Sequence, residues 1–241
     1  MEYQMTKIKV FKEGYAADDM RGIDDPRPWD TIEEIKKYAG SDKKLLDIGC
    51  GYAHKTLDLA DSFQEVYGID PSPDMLALAQ SNVKKSGKSN AHIQYGVDEQ
   101  LPFGNNFFDV VICILALWNV DEIHRVLKPG GIFILETTGA KDKLDLKKEF
   151  GEDEQGLRGQ RANYGEQELI DKRKAYLEQK LENVTVTSGC WRTYYTAAGI
   201  DNLLQSTPTI RDFDPEKDRE AVERVRGKFS TENGIAVEQN R

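Results

Sequence analysis

Two aspartates and two glycines carry the chemistry most plainly written into this sequence. Asp47-Ile48-Gly49-Cys50-Gly51 puts an acid two positions before a pair of glycines, directly after an apolar run. Glycines without a Cβ let the chain turn sharply and let a ligand approach bare backbone. A carboxylate at the same corner suits a cationic or hydroxyl-bearing ligand. Asp70 lies 19 positions beyond Gly51 and is followed by Pro71. An acid at a strand end at that distance can accept hydrogen bonds from both hydroxyls of a ribose. The chemistry suggested is recognition of a ligand that carries a ribose.

Such residues need strand ends to hold them. Leu45, Leu46 and Ile48 read as a short buried strand, and a helical pattern starts near His54 (Leu57, Leu59, Ala60, Phe63). A helix is expected before it, from Thr31 to Ala39, with Asp30 or Thr31 as N-cap and Gly40 as C-cap. Residues 65–70 form a second strand and 74–85 a helix. A third strand at 91–97, a fourth at 107–115, a short helix at 121–128 and a fifth strand at 132–135 follow. Strands alternating with helices predict an α/β fold with a parallel sheet. Downstream, 139–163 reads as a charged excursion and 164–181 as an amphipathic helix. A sixth strand is expected through 184–195, helices at 197–204 and 216–229, and a seventh strand at 234–239.

With 241 residues, the chain fits one large domain. The expected organisation is 1–42 as an N-terminal segment with the first helix, 43–136 as the ligand-binding core, and 137–241 as a C-terminal half. No apolar run approaches the roughly 18 residues a membrane span needs, and the first ten residues lack a signal-peptide core. Cys50, Cys113 and Cys190 are widely spaced, as for reduced cytoplasmic thiols rather than a disulfide framework or a metal site. A formal charge of −9 disfavours a nucleic-acid partner. Nothing in the sequence indicates an oligomeric state.

The ordered set D-I-G-C-G, G-I-D-P-S, D-E-Q-L-P-F, F-D-V-V and R-V-L-K-P-G-G, over about residues 43–136, resembles the class I S-adenosylmethionine-dependent methyltransferases. It is closest in pattern to their small-molecule branch, which includes the ubiquinone/menaquinone-biosynthesis type. The resemblance implies a doubly wound, Rossmann-like sheet of seven strands, mostly parallel with an antiparallel last strand, and helices on both faces. It implies S-adenosyl-L-methionine as cofactor and methyl transfer to a small-molecule acceptor. By resemblance, Asp47, Gly49, Cys50 and Gly51 line the methionine end and Asp70 takes the ribose. Pro71 and Met75 lie near the adenine, Val97, Asp98 and Glu99 supply adenine recognition without a choice between the two acids, and Leu115 approaches the methionine part.

Two departures stand out. Val97 occupies a position where the branch often has an acid. Only Ala116 to Val120 separate the fourth strand from the next helix, a shortened roof over the acceptor side. No N-P-P-Y follows the fourth strand, which argues against adenine and glutamine amino groups as acceptors. A catalytic base is not legible: His54, His92 and His124 read as structural. Tyr15, Trp29, Trp118, Trp191, Tyr194 and Tyr195 are candidates for a lid or acceptor pocket, or for packing. Two other readings remain at this stage. One is a cofactor-binding protein of this fold without turnover. The other is a short-chain dehydrogenase using Tyr176 and Lys180 of a Y-x-x-x-K match, for which the glycine spacing is wrong.

Overall fold

The computed structural model describes residues 27–159 and 164–241. Tyr15, a lid candidate, and Ile8, Val10 and Phe11, whose pattern in the sequence suits a small edge element, lie outside the described residues. The chain divides into two compact units. The first comprises Trp29–Thr137 with Arg173–Thr185. The second comprises Thr138–Lys172 and Val186–Arg241, with the described residues before Trp29.

The first unit is built on five parallel strands: β1 (Gly40–Ile48), β2 (Phe63–Asp70), β3 (Ala91–Tyr95), β4 (Phe108–Ile114) and β5 (Leu127–Glu136), in the order β3-β2-β1-β4-β5. The order reverses direction between β1 and β4, and that crevice is where open α/β sheets bind ligands. Strands buried on both faces read as continuous apolar runs, and Val110, Val111, Ile112 and Cys113 of β4 are all essentially inaccessible. Successive side chains serve opposite cores. Leu45 joins Ile35, Leu59, Val66 and Val110 on one face, while Leu46 and Ile48 join Phe108, Val111, Ile123 and Val126 on the other. Each fully buried Leu or Ile there contributes about 1.5–3 kcal/mol.

Helices cover both faces. The first face takes α1 (Thr31–Lys36), α2 (His54–Leu59) and α3 (Pro73–Ser86); the second takes α4 (Val120–Val126). Asp30 caps α1 by accepting from the Ile32 and Glu33 N–H groups. Gly40 is not the helix cap expected from the sequence: Lys37 takes that place, and Gly40 opens β1 opposite Phe63. Ser72 caps α3 through Met75 N–H at 3.3 Å, and Gly87 ends it in the left-handed conformation.

The second unit corrects the expectation of seven strands in one sheet. β8 (Cys190–Tyr195) and β10 (Gly234–Asn240) pair antiparallel with each other, with β9 (Ser230–Thr231) at the edge, in a separate three-stranded sheet. The last strand therefore does not extend the parallel sheet. The physical reason is alternation. Trp191, Thr193 and Tyr195 of β8 lie opposite Gln239, Val237 and Ile235 of β10, and all six are buried. Strands with one apolar face suit a one-sided antiparallel sheet rather than the doubly covered centre of a parallel one. Their inner faces pack on α7 (Ala197–Ser206) and α8 (Arg219–Lys228) through Ile200, Leu204, Val222 and Val225.

The stretch expected as a plain charged loop carries α5 (Leu144–Lys148) and a hairpin of β6 (Glu152–Asp153) and β7 (Gly156–Leu157). Arg158 anchors its end, donating to both Asp218 carboxylate oxygens and to the Arg211 carbonyl. Residues 184–187, expected to begin a strand, carry no regular structure. The amphipathic helix is α6 (Glu166–Leu177), shorter at both ends than the pattern suggested.

Candidate cofactor site

The site grows from the C-terminal ends of β1 and β2. Asp47 pairs in register with Gly68, and Ile48 with Ile69. Asp70 is two residues past Gly68, so both carboxylates leave the sheet on the same face. Gly68 has no Cβ to collide with Cys50, whose Sγ would lie 2.9 Å from it. The glycine turn can therefore fold down onto β2.

The hydrogen bonds of the turn define what it can bind. Gly49 N–H and Cys50 N–H both donate to the Ile69 carbonyl at 2.9 Å. Gly51 N–H donates to Asp70 Oδ2 at 2.9 Å. The donors of residues 49–51 are thus consumed by β2 and by a carboxylate. A dinucleotide-binding turn keeps such donors for a pyrophosphate. Here an anion would have to displace a carboxylate, so the corner is shaped for a neutral or cationic group. Gly49 and Gly51 adopt φ of +73° and +55°, and a Cβ on Gly51 would meet nothing within 4 Å. Open space therefore lies over Gly51, whereas the space over Gly49 is filled by Ala116, whose Cβ would lie 2.3 Å from an added one.

Electrostatics reinforce this reading. Asp47 is 3% exposed and its carboxyl is pushed up to about 6, chiefly by burial, with Asp70 adding to the rise and the Thr56 hydroxyl and Lys55 opposing it. Burial also raises Asp70, against the backbone donors Ser72 and Gly51. Asp98 is pushed up to about 6 by burial and then by the charge of Glu99. Carboxylates held above their usual range in a shared region favour an incoming cation or hydroxyl donor. The thiols are inert by the same logic. Burial, then Asp47, raises Cys50, and Cys113 is pushed up to about 12, so neither is a ready nucleophile.

The sequence-predicted residues fall as follows. Asp47, Gly49, Cys50, Gly51 and Asp70 converge on one corner. Asp70 divides its oxygens between Gly51 N–H and Ser72 N–H, each at 2.9 Å, and caps no helix itself. Pro71 is half-buried beside it, while Met75 is turned inward and only 4% exposed. Val97 bridges to Gln100, and this tight turn presents Asp98 half-buried and Glu99 exposed. Tyr95, at the end of β3, pairs in register with Asp70, and Asp98 follows three residues later in the turn beyond that strand end. Leu115 lies one residue beyond β4, at φ +59°, 50% exposed, with its N–H donating to the Glu136 carbonyl. A left-handed leucine is a strained conformation held by its surroundings.

Five contacting residues were not singled out for these roles in the sequence. Thr56 is fully buried and donates to Asp47 Oδ2 at 2.6 Å. Ala116 closes over Gly49. Thr31 donates to the buried Glu136 carboxylate at 2.5 Å, tying α1 to the end of β5. Glu122 and Arg125 of α4 hold the segment after β3: Glu122 accepts from Leu101 N–H, and Arg125 donates to the Leu101 and Phe103 carbonyls. The only advance signal was R-V-L-K-P-G-G, which contains Arg125 but does not reveal its partners.

Several of the other candidates lie in packing or surface positions. His92 stacks on Tyr67 at 4.8 Å between ring centroids, and His124 is exposed on α4. Trp191 and Tyr195 are buried in the second unit. Trp118 packs on Phe133 and Tyr176. Lys180 lies beyond the end of α6 and pairs with Asp121 at 2.9 Å, so Tyr176 and Lys180 do not form a hydride-transfer pair on one helix. Among the described residues no His, Cys, Asp and Glu cluster could hold a metal ion, and no helix is long and apolar enough to cross a membrane.

Residues 46–135 match the methyltransferase domain family. The chain is 42% identical over 107 residues to demethylmenaquinone methyltransferase of Geobacillus stearothermophilus, covering 40% of this chain and 46% of that protein. It is 34% identical over 102 residues to the uncharacterized methyltransferase YcgJ of Bacillus subtilis, covering 39% of this chain and 40% of that one. The matches thus span about half or less of these relatives' length. The crystal structure of YcgJ has the same fold, with a TM-score of 0.60 and 22% identity over 87% of this chain and 93% of that chain. Over residues 46–135 the chain is thus similar to methyltransferase domains, among them that of a demethylmenaquinone methyltransferase.

Proposed function

We propose that this protein transfers a methyl group from S-adenosyl-L-methionine to a small-molecule acceptor by direct in-line displacement. The observation that carries the reading is the Gly51–Asp70 hydrogen bond beside Asp47, which spends the turn's donors and leaves two carboxylates and an open glycine face. That donor set fits the cofactor: an acid for its positive end, an acid for its ribose hydroxyls, and bare backbone between them. When bound, S-adenosylmethionine would supply a methyl group already activated by its sulfonium, whose leaving group is a neutral thioether.

The residues of the chain bind and orient. Asp47 holds the cationic methionine end. Asp70 accepts from the ribose hydroxyls through the lone pairs left by Gly51 and Ser72. Asp98, half-buried where Glu99 is exposed, takes the adenine amine, and Pro71 and Val97 border the base. Leu115, fixed in its strained conformation, covers the methionine part with apolar surface. Holding the reactants in line is where most of the rate comes from when the leaving group is already activated. The protein acts in the cytoplasm, and nucleic acid is not its acceptor.

Calorimetry with S-adenosylmethionine, followed by transfer of labelled methyl to a metabolite extract, tests the reading. Binding and a labelled small molecule are expected. No binding of the cofactor between pH 6.5 and 8 refutes it.

A further inference from the structure

We propose that Thr56 is a positioning residue for the cationic end of the cofactor, fixing the Asp47 carboxylate so that one oxygen is spent on the protein and the other is presented to the ligand. The inference rests on the site reading proposed above.

The argument is geometric. Thr56 is the third residue of α2 and has no exposed surface. Its hydroxyl donates to Asp47 Oδ2 at 2.6 Å, a charge-assisted distance. The carbonyl four residues before Thr56, on Tyr52, accepts from Asn82 Nδ2 at 2.9 Å, and the Thr56 hydroxyl turns to Asp47. Its β-branched side chain is stiff about χ1, so the donor has a fixed direction. Asp47 Oδ1 accepts no hydrogen bond among the described residues, and it lies on the sheet face that carries Asp70 and the glycine turn.

Charge makes the arrangement necessary. Two groups oppose the ionised form of Asp47: its own burial and the neighbouring Asp70. Thr56 and Lys55 favour that form, Thr56 being the larger influence. The remaining ionisable neighbours, the Cys50 and Cys113 thiols, stay protonated and add no charge. Thr56 therefore fixes where the carboxylate points and lowers the pH above which it is charged, against the larger effect of burial.

The test uses Thr56→Val, close to the same shape without the donor, Thr56→Ala, which removes the donor differently, and Thr56→Ser, which restores it. Two profiles are measured from pH 5 to 8: the Asp47 carboxyl titration by carbon NMR without ligand, and S-adenosylmethionine affinity by calorimetry. Both midpoints are expected to rise together in the valine and alanine variants. Affinity near neutral pH falls roughly ten-fold, the loss of one hydrogen bond to a charged group. Serine returns both to the wild-type positions. An affinity profile that keeps its wild-type midpoint in these variants, or falls evenly at every pH, overturns the proposal. A wild-type chain that binds no cofactor overturns the functional reading itself, so the two failures are distinct.

Discussion

Replacing Asp70 by alanine isolates the acid on which the nucleoside reading depends. In the structure its two oxygens accept from Gly51 N–H and Ser72 N–H, both at 2.9 Å, and the side chain is 8% exposed. The ribose hydroxyls would add two more donors to the same carboxylate. Hydrogen bonds to a charged group are worth about 1.5–3 kcal/mol, and the remaining ribose contacts with backbone and water survive the change. The expected loss of cofactor affinity is therefore about 1.5–3 kcal/mol, or roughly 10- to 150-fold in Kd. Stability should change less. Two backbone donors lose their acceptor, at about 1 kcal/mol each, but an acid that burial holds above its usual range disappears with them. The net cost is about 1–2 kcal/mol, which urea unfolding would register. Calorimetry at pH 7.5 gives the decisive number. Unchanged affinity in a folded variant would mean that Asp70 serves only the glycine turn, and the ribose assignment would be wrong.

Three further outcomes follow from the same geometry. Asp47 has its folded pKa raised to about 6, above the unfolded value, so the folded state binds the extra proton. Stability from this group is full below about pH 4, falls between about 4 and 6, and is lower by about 3 kcal/mol above that window. Asp47→Asn should accordingly be more stable than wild type at pH 7.5 and no more stable at pH 4, while losing cofactor affinity; equal melting temperatures at both pH values would contradict this. Gly49→Ala introduces a Cβ 2.3 Å from that of Ala116 at φ +73° and should destabilise by about 1–3 kcal/mol, partly recovered by adding Ala116→Gly. A stable single variant would show that the short segment after β4 is not packed on the turn. Thr31→Val deprives the buried Glu136 carboxylate of its 2.5 Å donor and should cost about 1–3 kcal/mol by denaturant unfolding, with no shift expected if that bond is absent in solution.

The sequence by itself determined the first five strands and the corner they build. Asp47, Gly49, Gly51 and Asp70 were legible because each depends on local rules. An apolar run makes a buried strand, glycine permits a turn, and an acid at a strand end meets whatever lies above it. The tertiary structure decided what those residues touch. Thr56 reaches Asp47 because α2 folds back over β1, and Ala116 fills the space above Gly49 because β4 lies beside β1; no spacing rule announces either. It also decided where the last strands go. A single sheet of seven strands, the last antiparallel, was expected from the family pattern, yet Cys190–Tyr195 and Gly234–Asn240 each have one apolar face, and the two pair with each other and pack on the helices beneath them. Sequence patterns record which side of an element avoids water. Which partner removes that side from water is settled only when all the surfaces are present together.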